Sequence, residues 1–464
     1  MGSVSKRPPK PWIETPCVYS APLSRAAGCN IYLKLENLQP SGSFKSRGIG
    51  NLMFRAVEST NSPSTSAEDV HFYSSSGGNA GLACATAAAT LNRPATVVVP
   101  MITSQLMVEK LRELRAEVVQ IGENWAAADR HLREVVIPEF ERDHPSTRAV
   151  YVPPFDHQDI WDGAETMVAE LKTQMSESFD EQMDAIICNV GGGGLMCGIM
   201  QGVQELKDSG YGSPKVVVVE TEGGESLNAS VKAGELVTLS SITTIATSLG
   251  APRVAEEAFA WTKRAGRDLI SAVVTDKEAV IAMVKFLDHA RILVESACGA
   301  TIAILYNGDL RKYLGESLTD EEWAKKNVVV VVCGGSNINL EMLENLKNIP
   351  AIENLDALPI LAAYRDPKDF PQYAIIQLEA RDSIPGKFVG LIVPMYIRTF
   401  AGENSSKEDD VPRTANGEVQ KQNNFASEVG KKMQELAPGG ESRSSTSSGK
   451  GNSSKQEHSK SGSK

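Results

Sequence analysis

Four short stretches carry residue types suited to one piece of chemistry. The first is Ser41-Gly42-Ser43-Phe44-Lys45-Ser46-Arg47-Gly48, a lysine in a Ser/Gly-rich turn that leads into a helix. A lysine there is ordinarily a solvated charge. An amine whose pKa is lowered by burial or by nearby cations can instead form a Schiff base with a carbonyl compound. The second is Gly191-Gly192-Gly193-Gly194, between the apolar run AIICNV and the helical run LMCGIMQGVQEL. Such a turn can serve tight packing alone. It also clears side chains from a helix N-terminus and opens its N–H groups and positive dipole end to an anion. It lacks the Lys-Ser/Thr of an ATP-type loop and the spacing of a dinucleotide fingerprint. A small phosphate monoester fits it better than ATP or NAD.

The third stretch, Ser74-Ser75-Ser76-Gly77-Gly78-Asn79-Ala80-Gly81, also joins a strand to a helix. Its hydroxyls and free N–H groups suit a carboxylate or simple helix capping, and Asn79 offers an amide to a ring oxygen. The fourth is Cys333-Gly334-Gly335-Ser336-Asn337, after the run VVVVV. A strand-end cysteine is ordinarily core packing, yet this is where ligands gather in open α/β sheets. Each motif alone is modest. Jointly they supply an aldehyde-binding lysine, a phosphate cup, an amide-and-hydroxyl loop and a polar strand end. Pyridoxal phosphate has the matching parts: aldehyde, phosphate, phenolic oxygen and ring nitrogen.

The elements that must position these groups alternate through residues 1–348. Strands are predicted at Asn30–Leu35, Val70–Ser74, Ala95–Val99, Glu117–Ile121, Ala149–Val152, Ala185–Val190, Lys215–Glu220, Leu269–Val274 and Asn327–Cys333. Helices are predicted at Gly78–Leu91, Ser104–Leu114, Trp125–Glu141, Trp161–Gln174, Leu195–Lys207, Ala251–Trp261 and Lys277–His289. Alternating strand and helix, with several strands continuously apolar, predicts a doubly wound α/β architecture with parallel sheets. Residues 349–401 hold two further apolar runs, Tyr373–Leu378 and Phe388–Tyr396, compatible with a hairpin. Residues 402–464 are rich in Ser, Gly, Lys and Glu and are predicted to be a disordered tail, since they bury too little apolar surface to offset ordering entropy.

Composition narrows the class. The 464 residues carry a net charge of −11, which argues against nucleic acid or an anionic membrane as partner. No run approaches the ~20 apolar residues of a membrane span. The N-terminus shows no secretory signal, and Lys6 breaks the myristoylation pattern. Seven scattered cysteines with no CxxC pair predict reduced thiols in the cytoplasm rather than disulfides or zinc.

With these residues in place the sequence resembles a known family. The four motifs fall in family order and spacing, joined by Pro153-Pro154-Phe155-Asp156-His157 with Ile160-Trp161, and by Ile292-Leu293-Val294-Glu295-Ser296-Ala297-Cys298-Gly299-Ala300. The family is the fold type II pyridoxal-phosphate enzymes (tryptophan synthase beta-like), and within it the L-serine dehydratases, also called serine ammonia-lyases, which often act as threonine deaminases. The likeness runs from about residue 12 to 348.

The resemblance implies two open-sheet domains with the cofactor in the cleft: a large one of 1–38 plus 154–348 and a small one of 39–153. It implies that Lys45 is the Schiff-base lysine and that Phe44 and Ser248 flank the cofactor ring. Asn79 would bond the ring 3-oxygen, and Ser76, Gly77 and Gly78 would hold the substrate carboxylate. Gly191, Gly192, Gly193 and Gly194 would bind the phosphate, and Cys333 would face the ring nitrogen. A monovalent cation such as K+ would lie on Glu220 and the carbonyls of Gly191, Gly224, Leu249 and Ala251.

The implied reaction is β-elimination of L-serine to pyruvate and ammonia, and of L-threonine to 2-oxobutanoate. The implied setting is a cytoplasmic homodimer in amino-acid catabolism and gluconeogenesis. Biosynthetic threonine dehydratases and serine racemases share much of this framework and stand as alternatives, as does a non-catalytic homologue that binds the cofactor. Gly77 stands where the mammalian liver enzyme has Ala.

Overall fold

The computed structural model describes residues 8–60, 70–179 and 181–348, with two short strands beyond. The chain divides into two compact units, 1–368 and 369–464, and ten strands order the first: β1 Cys17–Tyr19, β2 Asn30–Lys34, β3 Val70–Ser74, β4 Ala95–Val99, β5 Glu117–Gln120, β6 Arg148–Tyr151, β7 Ala185–Asn189, β8 Lys215–Thr221, β9 Leu269–Val274 and β10 Asn327–Val331. The predicted strands correspond to β2 through β10, each within two residues at either end. β1 is too short for its periodicity to show. It forms the antiparallel edge beside β2 and exposes Val18 and Tyr19.

Two sheets result. One has the order β1-β2-β10-β7-β8-β9 and the other β5-β4-β3-β6, and every pairing except β1 with β2 is parallel. Parallel strands covered on both faces need apolar side chains on both. Accordingly Val216–Val219 of β8 and Val328–Val331 of β10 are all fully buried. The order of each sheet reverses once. In the larger sheet the chain runs outward β7-β8-β9 and returns to insert β10 between β7 and β2. In the smaller one it runs β3-β4-β5 and returns to place β6 on the other side of β3. In such sheets a crevice opens outside the carboxyl ends of the strands at the reversal. Those ends are where β3, β7 and β10 lead into three of the four motifs.

Helices cover the sheets. Lys45–Thr60, Asn79–Leu91, Gln158–Phe179, Gly194–Asp208, Asp276–Ala290 and Ser296–Tyr306 are the longest. Two predicted helices are corrected. Ala251–Trp261 starts late, at Glu256, because Pro252 and an Ala255 N–H bonded to the Gly192 carbonyl hold the preceding chain out of helix. Trp125–Glu141 is interrupted by a wider turn at Leu132–Val136. The predicted tail and most of 349–401 lie outside the described residues. Beyond the first unit, Ala374–Ile375 pairs antiparallel with Ile392–Val393.

Candidate active site

Backbone hydrogen bonds bring the lysine turn against the cysteine loop. Phe44 N–H donates to the Cys333 carbonyl at 3.1 Å, Gly335 N–H to the Gly42 carbonyl at 2.9 Å, and Asn37 N–H to the Val332 carbonyl at 3.0 Å. Two motifs nearly three hundred residues apart in sequence are thereby stitched edge to edge. Lys45 is the first residue of its helix. Its Nζ donates to the Pro154 carbonyl at 2.6 Å and lies 5.3 Å from the Phe44 ring centroid. The acceptor is a neutral carbonyl, so no carboxylate offsets the loss of hydration. Burial lowers the amine's pKa to about 8.

The helix that begins at Lys45 is anchored by charges hidden beneath it. Arg47 is fully buried and donates to both oxygens of Glu36, at 2.7 and 2.8 Å, and to both of Glu170, at 2.6 Å each. Lys34, also fully buried, meets Glu170 at 2.6 Å and the Thr15 carbonyl at 2.7 Å. Burial works against the Arg47 charge, but the bonds from Glu170 and Glu36 outweigh it and hold its pKa above the usual arginine value. The cluster ties β2, the Lys45 helix and Gln158–Phe179 together.

The glycine run follows β7. Gly193 has φ +95°, a left-handed turn that lets the next residue start the helix Gly194–Asp208. The segment Pro153–His157 lies across the run. A side chain at Gly192 would collide with the Phe155 ring, and one at Gly194 would sit 2.7 Å from the Phe155 carbonyl. That carbonyl also accepts from Trp161 Nε1 at 3.0 Å. The run is therefore a turn whose close packing against Phe155 depends on having no Cβ, and the neighbouring Pro154 carbonyl is the acceptor for Lys45.

Asn79 opens its helix after β3. Its Nδ2 donates to both oxygens of Glu295 at 3.0 Å, and its Oδ1 accepts from Ser336 N–H at 2.9 Å. Ser248, in the turn Thr247–Leu249, donates to Glu295 Oε2 at 2.6 Å. Cys333 Sγ accepts from Asn189 Nδ2 at 3.0 Å. Hydrogen bonding with the Cys298 thiol and burial raise the Cys333 pKa well above the ordinary thiol value, so the sulfur stays neutral. In the third loop, Gly78 N–H donates to Ser76 Oγ at 3.2 Å. Ser75 donates from behind to Asp129 at 2.7 Å, which also takes the Tyr151 hydroxyl at 2.6 Å. A methyl at Gly77 would stand 2.7 Å from Thr103 Cγ2, so glycine gives this loop room that alanine would not.

Glu220 is fully buried at the end of β8 and accepts from the N–H groups of Leu227 and Asn228, both at 2.8 Å. Burial pushes its pKa up to about 8. Gly191 packs on Leu249, and Ala251 N–H donates to the Leu249 carbonyl at 2.7 Å. The Gly224 carbonyl accepts from Ser226 N–H at 3.0 Å. Thr221 Oγ1 and Ser226 Oγ nearby are buried without a partner. No group of three or more His, Cys, Asp or Glu side chains placed to hold a metal ion occurs among the described residues.

Several contributors carried no role in the sequence reading: Arg47, Asp129, Asn189 and Glu295. Asn189 and Glu295 left a usable signal, since the first is a lone polar residue and the second a lone charged residue in an apolar run.

Comparison with known proteins gives a consistent picture. The profile described as "Pyridoxal-phosphate dependent enzyme" matches residues 10–334. An L-serine dehydratase/L-threonine deaminase of Bos taurus is 43% identical over 343 residues, covering 74% of this chain and 97% of that protein. The catabolic L-serine/threonine dehydratase of Saccharomyces cerevisiae is 36% identical over 341 residues, covering 71% of this chain and 91% of that protein. Among solved structures, a fungal L-serine ammonia-lyase from Rhizomucor miehei superposes with a TM-score of 0.63 at 35% identity, covering 73% of this chain and 98% of that one.

Proposed function

The chain belongs to the family of pyridoxal-phosphate dependent enzymes, and on that premise we propose that it is an L-serine ammonia-lyase that also deaminates L-threonine. It eliminates water from L-serine and releases pyruvate and ammonia; threonine yields 2-oxobutanoate by the same route. The observation that carries this reading is the convergence of the lysine turn, the glycine run, Asn79 and the Cys333 loop at the reversal points of two parallel sheets.

The residues present fit the cofactor. The glycine run leaves no side chain between the end of β7 and the start of the helix Gly194–Asp208, and the lysine amine meets a neutral carbonyl and not an anion. When bound, pyridoxal phosphate supplies an electron sink for the carbanion formed at the substrate's α-carbon. The chain's own residues do the rest. The N–H groups of Gly191 to Gly194 at a helix N-terminus would hold the phosphate, and Asn79 would donate to the ring 3-oxygen. Phe44 and Ser248 would flank the ring. Ser76, Gly77 and Gly78 present hydroxyl and N–H donors to the substrate carboxylate, which fixes the α-proton toward Lys45. With its pKa near 8, Lys45 is partly unprotonated at neutral pH and serves as the base that takes that proton. Cys333, whose thiol stays neutral, would face the ring nitrogen and give it no proton, which would favour quick elimination over transamination.

Glu220, with the carbonyls of Gly191, Gly224, Leu249 and Ala251, would hold a monovalent cation such as K+. A buried carboxylate beside unpartnered oxygens supports this, and the cation's charge would keep Glu220 ionised. The same reading assigns 1–38 plus 154–348 to a large domain and 39–153 to a small one, supported by the division of strands between the two sheets. It makes the chain a cytoplasmic homodimer in amino-acid catabolism and gluconeogenesis. The seven free cysteines support the reducing compartment. No helix among the described residues is long and apolar enough to cross a membrane.

The test is keto-acid release from purified protein with L-serine, L-threonine and D-serine as separate substrates. Release from the two L-amino acids is expected; formation of D-serine from L-serine without pyruvate would overturn the reading in favour of a racemase.

Two further results are expected. Capture of pyridoxal phosphate by the apoprotein, followed by visible absorbance, should quicken as pH rises through about 8 and then level, because only the neutral amine attacks. An inflection near the ~10.4 of an unperturbed lysine would contradict the burial of that amine. Cys333→Asp places a carboxylate beside Asn189. It should shift the visible band and slow elimination by about tenfold, equivalent to ~1.4 kcal/mol in the barrier. An unchanged rate and band would remove Cys333 from the chemistry.

A further inference from the structure

Glu295 is a buried acid bonded to groups of the assembled motifs, and the reaction described above gives it no task. It stands at the N-cap position of the helix Ser296–Tyr306, where a side-chain oxygen commonly accepts an N–H of its own helix. Glu295 makes no such bond. Its carboxylate turns to three groups from three other segments. Oε1 accepts from Asn79 Nδ2 at 3.0 Å and from Asn337 N–H at 2.7 Å. Oε2 accepts from Asn79 Nδ2 at 3.0 Å and from Ser248 Oγ at 2.6 Å. The space it fills exists because residue 335 is glycine: a Cβ there would overlap the carboxylate.

We propose that Glu295 is a positioning residue that locks the Asn79 amide in its donor orientation and aligns Asn79, Ser248 and the Cys333–Asn337 loop on one carboxylate. The proposal rests on the reading of Asn79 and Ser248 as groups around the cofactor ring.

An amide of the asparagine type flips at little cost unless both its ends are committed. Here both are. Ser336 N–H donates to Oδ1, and Glu295 takes a hydrogen from Nδ2. A flip would set oxygen against carboxylate and N–H against N–H. Nδ2 has two hydrogens, so while one stays on Glu295 the other remains to be offered to a ring oxygen. The carboxylate accepts only and cannot reverse its role, whereas a glutamine at this position can.

The experiment compares Glu295→Gln and Glu295→Asp with the native holoenzyme by cofactor dissociation constant and visible absorbance band, and checks folding by circular dichroism. Glu295→Gln is expected to fold, to shift the band and to weaken cofactor binding about ten- to a hundredfold, the scale of a lost hydrogen bond to a charged group. Glu295→Asp keeps the acceptor but shortens the reach and should fall between the two. Because Glu295 acts through Asn79, adding Glu295→Gln to Asn79→Ala should cost no more than Asn79→Ala alone.

A folded Glu295→Gln with native affinity and band overturns the proposal. So does full additivity with Asn79→Ala, which would mark a merely structural role. Should Glu295→Gln fail to fold, a folded Glu295→Asp indistinguishable from native overturns it equally. If the native chain itself binds no pyridoxal phosphate at Lys45, it is the underlying reading that fails.

Discussion

Lys45→Ala should fold normally, lose the visible band of bound cofactor and release keto acid from L-serine about ten-thousandfold more slowly or not at all. The size follows from the two tasks of one amine, since a positioned base alone contributes about 10²–10⁴ and a covalent anchor adds to it. Stability should survive because the amine has no ionic partner: its hydrogen bond goes to the Pro154 carbonyl, and burial already disfavours its charge. Removing it leaves one unfilled carbonyl and no orphaned ion. Keto-acid release and absorbance on the same preparation check the result. Activity within tenfold of native would move the base elsewhere.

Arg47→Ala should show the opposite pattern, with stability lost first and chemistry second. Arg47 lies two residues beyond Lys45, is fully buried, and bridges Glu36 and Glu170. The ion pairs do not make the fold stable in themselves, because the desolvation of buried charges offsets much of their attraction. Truncating one partner is different: Glu36 and Glu170 would face each other with only Lys34 to balance them. Breaking such a cluster costs about 3–5 kcal/mol. Denaturant unfolding at fixed pH should therefore show a lower midpoint, with cofactor affinity falling as the helix start at Lys45 loosens. A loss under about 1 kcal/mol would contradict the assignment of this cluster as the anchor, since that is the range of exposed pairs.

Much of this architecture is legible in the residues, for a physical reason. Parallel strands buried on both faces, such as Val216–Val219 and Val328–Val331, need continuous apolar runs, and those runs mark the strands and nearly their ends. The glycine run and the Asn79 loop are legible because a strand-to-helix turn packed this closely on its neighbours needs residues without side chains. What stays hidden is whatever depends on juxtaposition. The bond from Phe44 to Cys333, the Phe155 ring over Gly192 and the convergence of four bonds on Glu295 join segments up to about three hundred residues apart, and no local pattern encodes them. Arg47 shows the middle case. It sits inside a motif chosen for Lys45, yet its partners Glu36 and Glu170 come from other elements, so only the fold reveals it as an anchor.

The proposed covalent attachment at Lys45 admits a direct measurement: reduction of the native holoenzyme with borohydride, followed by proteolysis and mass mapping. The expected product is a single pyridoxyl-modified peptide containing Ser43-Phe44-Lys45, with the visible band lost in proportion. An unmodified Lys45, or a label on any other lysine, would contradict the assignment on which the site and its chemistry rest.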